Sequence, residues 1–301
     1  MNLLGDLEDI IKKEYQKHGF EFRNKDTHEL IYGLLNLKEK VIIPKRRKVN
    51  YSKELLTKNM DTEYKTYLGQ IELKFSNGDN INPYLGKGSF RPFSKDLMLY
   101  DWGIYHLHLN KEVYNKDFII RSDYLLFFMI KDKNVYFIDV TKHQLPDRTE
   151  FAQQNLLKII KRNWPYLLEP YKLKGISLPK KFTDQQRKEI RNAGSMAATE
   201  IDGDIYAMLG GGGISSAKTN IKYTTDSDNI HQTLREIEDR LKQSKKKLKY
   251  FLREMKLKEV DYNFKLLVED GSIFVINDIT LQKVIEINNL YDKIFFFDDI
   301  R

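Results

Sequence analysis

Two runs rich in apolar residues, FIIRSDYLLFFMI and VYFIDVTKH, stand on either side of KDKN in the stretch 118–143. Aromatic and branched side chains suit strands, and four polar residues leave room only for a tight turn, so this stretch is expected to be a β-hairpin. A third strand, GIYHLHL, precedes it across NKEVYNKD. Side chains alternate along a strand. His106 and His108 therefore point one way, and Tyr105, Leu107 and Leu109 the other. The same alternation puts Val135, Phe137, Asp139, Thr141 and His143 on one side of the last strand, and Tyr136, Ile138, Val140 and Lys142 on the other. A sheet with one covered face gathers its polar side chains on the open one. His106, His108, Asp139 and His143 are then expected to converge there, with Arg121, Lys142 and Arg148 close in sequence.

Helical patterns flank this unit. LLGDLEDIIKKEYQK places Leu3, Leu4, Leu7, Ile10, Ile11 and Tyr15 on one face, HELIYGLLNL follows, and TEFAQQNLLKIIKRNW is amphipathic and ends at Pro165. TDQQRKEIRNAG reads as a polar helix, NIKYTTDSD as extended, and the run from Asp226 or Ser227 to about Lys256 as one long helix. KLLVEDGSIFVI is a hairpin about Asp270-Gly271, and KIFFFDDIR is an apolar strand or docked terminus. The fold class is α+β, with a small central antiparallel sheet. Three consecutive regions are expected: a mainly helical 1–95, a central 96–172, and an α+β 173–301 with the long basic helix.

The 301 residues carry 51 Lys and Arg against 43 Asp and Glu, a net charge of +8 that favours a polyanionic partner. Eighteen Tyr and seventeen Phe argue against disorder. No run reaches the ~20 apolar residues of a membrane span, and the N-terminus lacks the basic segment and cleavage site of a secretory signal. The absence of cysteine excludes disulfides and thiolate metal sites and fits a reducing cytosol.

Three further motifs bear on function. Lys45, Arg46, Arg47 and Lys48 form a basic run after Pro44, and Lys245, Lys246 and Lys247 lie in a basic helix interleaved with Tyr250 and Phe251. Both are candidate phosphate contacts, and both also read as ordinary solvated surface. GGGGISSAKT approaches a phosphate loop at Gly212, Lys218 and Thr219, but Ala217 replaces the second glycine and no partner aspartate strand stands out.

The run WGIYHLHL…DFIIRSDYLLFFMIKDKNVYFIDVTKHQ resembles the strand order of RelE/HigB-type ribonuclease toxins over about residues 100–148. Where those toxins often carry Arg or Glu, this chain has His106 and His108. The chain also resembles a group of bacterial proteins of unassigned activity that share a WGIHHLHL…LLF…YLIDV..H…NWP pattern. The first resemblance implies a small twisted sheet whose open face cuts RNA without metal. Such cleavage needs a base for the 2′-hydroxyl, an acid for the leaving 5′-oxygen, and cations for the phosphorane. His106, His108 and His143 suit the proton transfers, and Arg121 and Lys142 the charge. The expectation is a cytoplasmic, metal-independent endoribonuclease, a toxin or phage-defence effector, needing no cofactor. RNA and a protein inhibitor or antitoxin are the expected partners, and no membrane. Two alternatives stay open. One is a non-catalytic module binding nucleic acid or protein. The other is a metal-dependent nuclease in which His-x-His, a carboxylate and a third histidine hold zinc or manganese.

Overall fold

In chain order the helices and strands are α1 (Leu3–Lys17), α2 (Thr27–Lys40), β1 (Lys48–Tyr51), α3 (Lys53–Leu56), α4 (Thr62–Asn77), α5 (Leu97–Trp102), β2 (Tyr105–His108), β3 (Val113–Tyr114) and β4 (Phe118–Ile119). They continue with β5 (Tyr124–Lys131), β6 (Asn134–Lys142), α6 (Asn155–Asn163), β7 (Lys172–Leu173), α7 (Asp184–Asn192), β8 (Thr199–Ile201) and β9 (Asp204–Tyr206). The last are α8 (Ile221–Glu254), β10 (Phe264–Glu269), β11 (Ser272–Asn277), β12 (Lys283–Glu286) and α9 (Leu290–Ile294). This is a computed structural model. It describes residues 1–110, 122–256 and 262–297, with the backbone of β3 and β4. The fold class is α+β, as expected. No helix among the described residues is long and apolar enough to cross a membrane.

The chain divides into two units, and neither is continuous in sequence. One comprises Met1–Lys38 and Tyr223–Phe296, the other Glu39–Lys222 and Phe297–Arg301. The region 96–172 lies wholly within the second unit, whereas 1–95 and 173–301 each contribute to both. The reason is that the first helix of the chain packs with its last third, which sequence order does not reveal.

In the first unit α1 buries Leu3, Leu7, Ile11 and Tyr15, one stripe at four-residue spacing. Tyr15 donates to the Leu30 carbonyl at 3.0 Å, tying α1 to α2. The Leu266 N–H donates to Asp6 at 3.0 Å, tying α1 to β10. The hairpin β10–β11 turns at Asp270 (φ 48°) and Gly271 (φ 74°), two consecutive left-handed positions that Asp-Gly supplies at little cost. The long helix starts at Ile221, earlier than the sequence suggests: IKYTTDSD is helical and not extended, and only Asn220 before it stays in a β-bridge. Burial of Tyr223, Ser227, Ile230 and Leu234 offsets the weak helix propensity of its threonines.

The second unit is built on a four-stranded sheet in the order β1-β6-β5-β2. The hairpin β5–β6 is its centre, and β2 is antiparallel to β5. β1 runs parallel to β6, so the sheet is mixed and not purely antiparallel. Both faces are covered, which corrects the expectation of an open face. Leu107, Leu126, Phe128, Val135 and Phe137 pack with Ile71 and Phe75 of α4. Leu125, Phe127, Tyr136 and Ile138 pack with Leu156 and Ile160 of α6 and with Trp102.

Pairing shifts register in the middle of the hairpin. Phe128 faces Phe137, and Phe127 faces Asp139, leaving Ile138 as the extra residue. Val135 and Phe137 therefore belong to the α4 side, and Thr141, opposite Leu125, to the other. Simple alternation had placed all three together; the bulge breaks it.

Candidate functional site

The histidines converge through β2 and the end of β6. In β2, Leu107 enters the α4-side core and Tyr105 stacks on Phe128, so His106 and His108 face the other way, opposite Phe127 and Leu125. His143 follows β6 directly, its N–H held by the Asp123 carbonyl at 2.7 Å. The His108 and His143 rings stack with centroids 5.1 Å apart and planes 19° apart. His106 meets the edge of Phe151 at 4.9 Å, and the same phenyl ring lies 6.4 Å from His143.

All three imidazoles line one cavity of about 450 Å³. Its wall also carries Lys40, Lys87, Lys95, Arg148, Lys188 and Arg191, and a single carboxylate, Asp96. Six cations against one anion make the cavity strongly attractive to phosphate.

Asp96 has two tasks. It caps α5 by accepting from the Leu99 N–H at 3.0 Å, and its other oxygen lies 3.8 Å from His106 Nδ1. That distance exceeds a hydrogen bond, and Nδ1 is buried with no hydrogen-bond partner among the described residues. Burial pushes the His106 pKa below its ordinary value of 6.5. Asp96 acts against the shift, and His143 adds to it. Burial thus favours the neutral form of His106.

Lys40, the last residue of α2, is 2% exposed. Its ammonium donates to Arg91 O (2.5 Å), Ser94 O (3.0 Å) and Ser94 Oγ (2.8 Å), which fastens the loop 86–94 over the cavity. Burial lowers its pKa to about 7, against the pull of Asp96. Gly86 belongs to that loop, and a Cβ there would lie 3.9 Å from His108 Nε2.

The opposing cations come from α7. Thr183 and Gln186 form a reciprocal capping box that fixes where this helix starts. Arg187, 1% exposed, donates to the carbonyls of Ala197 and Ala198 and holds the turn after the helix. Arg191 donates from Nε to Asp101 at 2.7 Å and from Nη1 to the Phe151 carbonyl at 2.5 Å, with its plane 3.9 Å from the Trp102 ring centre. These α7 residues were missed in the sequence. The capping box was legible, but nothing local told which face of the helix meets the histidine strands.

Other sequence candidates fall elsewhere. Lys142 is exposed opposite Tyr124 and does not line the cavity. Arg121 lies outside the described residues. Asp139 pairs with Lys58 at 2.6 Å and is not part of the cavity wall; Asp96 stands near His106 in its place. Lys45, Arg46 and Lys48 are exposed and Arg47 is half-buried, its Nη1 donating to the Ile43 carbonyl; none lines the cavity. Lys245, Lys246 and Lys247 belong to the other unit, where Lys245 donates to the Tyr262 carbonyl. The glycine-rich loop is packing: Gly211 lies so close to α5 that a Cβ would sit 2.1 Å from the Leu99 carbonyl oxygen. Gly213 N–H donates to the Tyr100 carbonyl at 2.8 Å. Among the described residues no group of three or more His, Asp or Glu is disposed to hold a metal ion.

Comparison with protein-family models, with curated proteins and with solved structures finds no match.

Proposed function

We propose that the histidine cavity cuts single-stranded RNA by transesterification without a metal. The observation that carries this reading is the meeting of three imidazoles with six cations and one carboxylate in one cavity. His106, whose neutral form burial favours, takes the proton of a ribose 2′-hydroxyl. The 2′-oxygen bonds to phosphorus and the bond to the 5′-oxygen breaks. The stacked pair His108–His143 returns a proton to that oxygen, leaving a 2′,3′-cyclic phosphate and a 5′-hydroxyl. The basic side chains of the cavity wall stabilise the extra charge of the phosphorane. The resemblance to RelE/HigB-type toxins supports a toxin or phage-defence setting in the cytoplasm, restrained by a protein inhibitor.

Incubation of the full chain with single-stranded RNA, with and without EDTA, tests the reading. Cleavage at equal rates in both supports it. Cleavage only without EDTA moves the protein to metal-dependent nucleases, and no cleavage makes the cavity a phosphate-binding module.

A further inference from the structure

Arg191 is 3% exposed, yet it forms part of the cavity wall. Two of its three nitrogens are committed, Nε to Asp101 and Nη1 to the Phe151 carbonyl. Nη2 is buried with no hydrogen-bond partner among the described residues. An enclosed guanidinium donor left unpaired is costly, and a site that keeps one is matched to an acceptor it does not itself contain. Asp101 and Trp102 lock the plane, so Nη2 is pre-positioned and little ordering remains to be done on binding.

Lys188 and Asn192 also line the cavity. On a helix, positions 188, 191 and 192 share one face. Together they offer a fixed fork, a mobile ammonium and an amide. This donor set fits a phosphate group and lacks the acceptors a base edge would need, apart from the Asn192 amide oxygen.

We propose that Arg191, Lys188 and Asn192 form a second phosphate subsite, holding the phosphate next to the one that reacts at the histidines. The proposal rests on the ribonuclease reading for the identity of the first phosphate. It narrows the substrate to single-stranded RNA offering two consecutive phosphates. A cavity of about 450 Å³ is the size of a small-ligand pocket and admits no duplex.

The test is calorimetric binding of a nucleoside 3′,5′-bisphosphate and of the two monophosphates to the full chain. None of these can be cleaved, so the result is independent of catalysis. The bisphosphate is expected to bind at least about tenfold tighter than either monophosphate. In Lys188→Ala and Arg191→Lys the preference is expected to shrink to about twofold or less. Should Arg191→Lys fail to fold for want of its Asp101 geometry, Lys188→Ala, at a half-buried position, decides alone. Equal affinities in the wild type, no binding, or a preference surviving in a folded variant overturns the subsite. A bisphosphate preference without RNA cleavage removes the ribonuclease reading and leaves the subsite standing; cleavage without the preference removes only the subsite.

Discussion

His108 and His143 stack at 5.1 Å although their strands are not neighbours: β5 lies between β2 and β6. The contact exists because both side chains leave the same face, one across from Leu125 and one just past Thr141, and meet over the start of β5. Catalytic weight is therefore expected on His143. His143→Ala should lower RNA cleavage by ~10²–10⁴ while the melting temperature moves only a few degrees, because the residue is half-exposed. Wild-type cleavage by the variant would remove His143 from the reaction, and an unfolded variant would make it structural.

The hairpin, the helices α1, α2, α6 and α7 and the side of the strand occupied by His106 and His108 were legible in the sequence, since period-2 and period-3.6 patterns are local, whereas α4 did not stand out. The bulge at Ile138 was not, because an extra unpaired residue leaves no mark on composition. Nor was the coverage of both faces, which depends on α4 and α6 folding back over the sheet. For the site, the three histidines announced themselves by spacing. Lys40, Asp96 and Arg191 come from positions 40, 96 and 191, and only tertiary packing brings them to one wall.

Lys40 should shape stability against pH. Its folded pKa of about 7 is below the ordinary lysine value of 10.5, so between these limits the unfolded chain binds more protons. Stability attributable to Lys40 therefore rises as pH climbs from about 7 towards 10, by an amount of order a few kcal/mol at most. Urea unfolding across that range should show the rise in the wild type and a flatter profile in Lys40→Met. Parallel profiles would mean that the ammonium is as well solvated folded as unfolded.

Asp101→Ala should be far more damaging than its position outside the cavity wall suggests. It leaves Arg191 buried and uncompensated, a loss of about 3–5 kcal/mol. The denaturant midpoint reads this directly. A loss below about 1 kcal/mol would show that Trp102 and the Phe151 carbonyl satisfy the guanidinium on their own.

Gly211→Ala should destabilise by more than the ~1–3 kcal/mol usual for overpacking, because the added methyl meets backbone at Leu99 and Tyr100 that cannot step aside. Thermal melting of the variant checks this. A wild-type melting temperature would return the glycine-rich loop to the list of ligand-binding candidates.

The chemistry itself is read from product ends. A single-stranded oligonucleotide is incubated with the protein in EDTA, beside a copy bearing 2′-deoxyribose at the cut position. The expected products are a 2′,3′-cyclic phosphate and a 5′-hydroxyl from the first, and no cut at the substituted position in the second. A 5′-phosphate end, or cleavage that ignores the missing 2′-hydroxyl, would contradict transesterification by His106, His108 and His143.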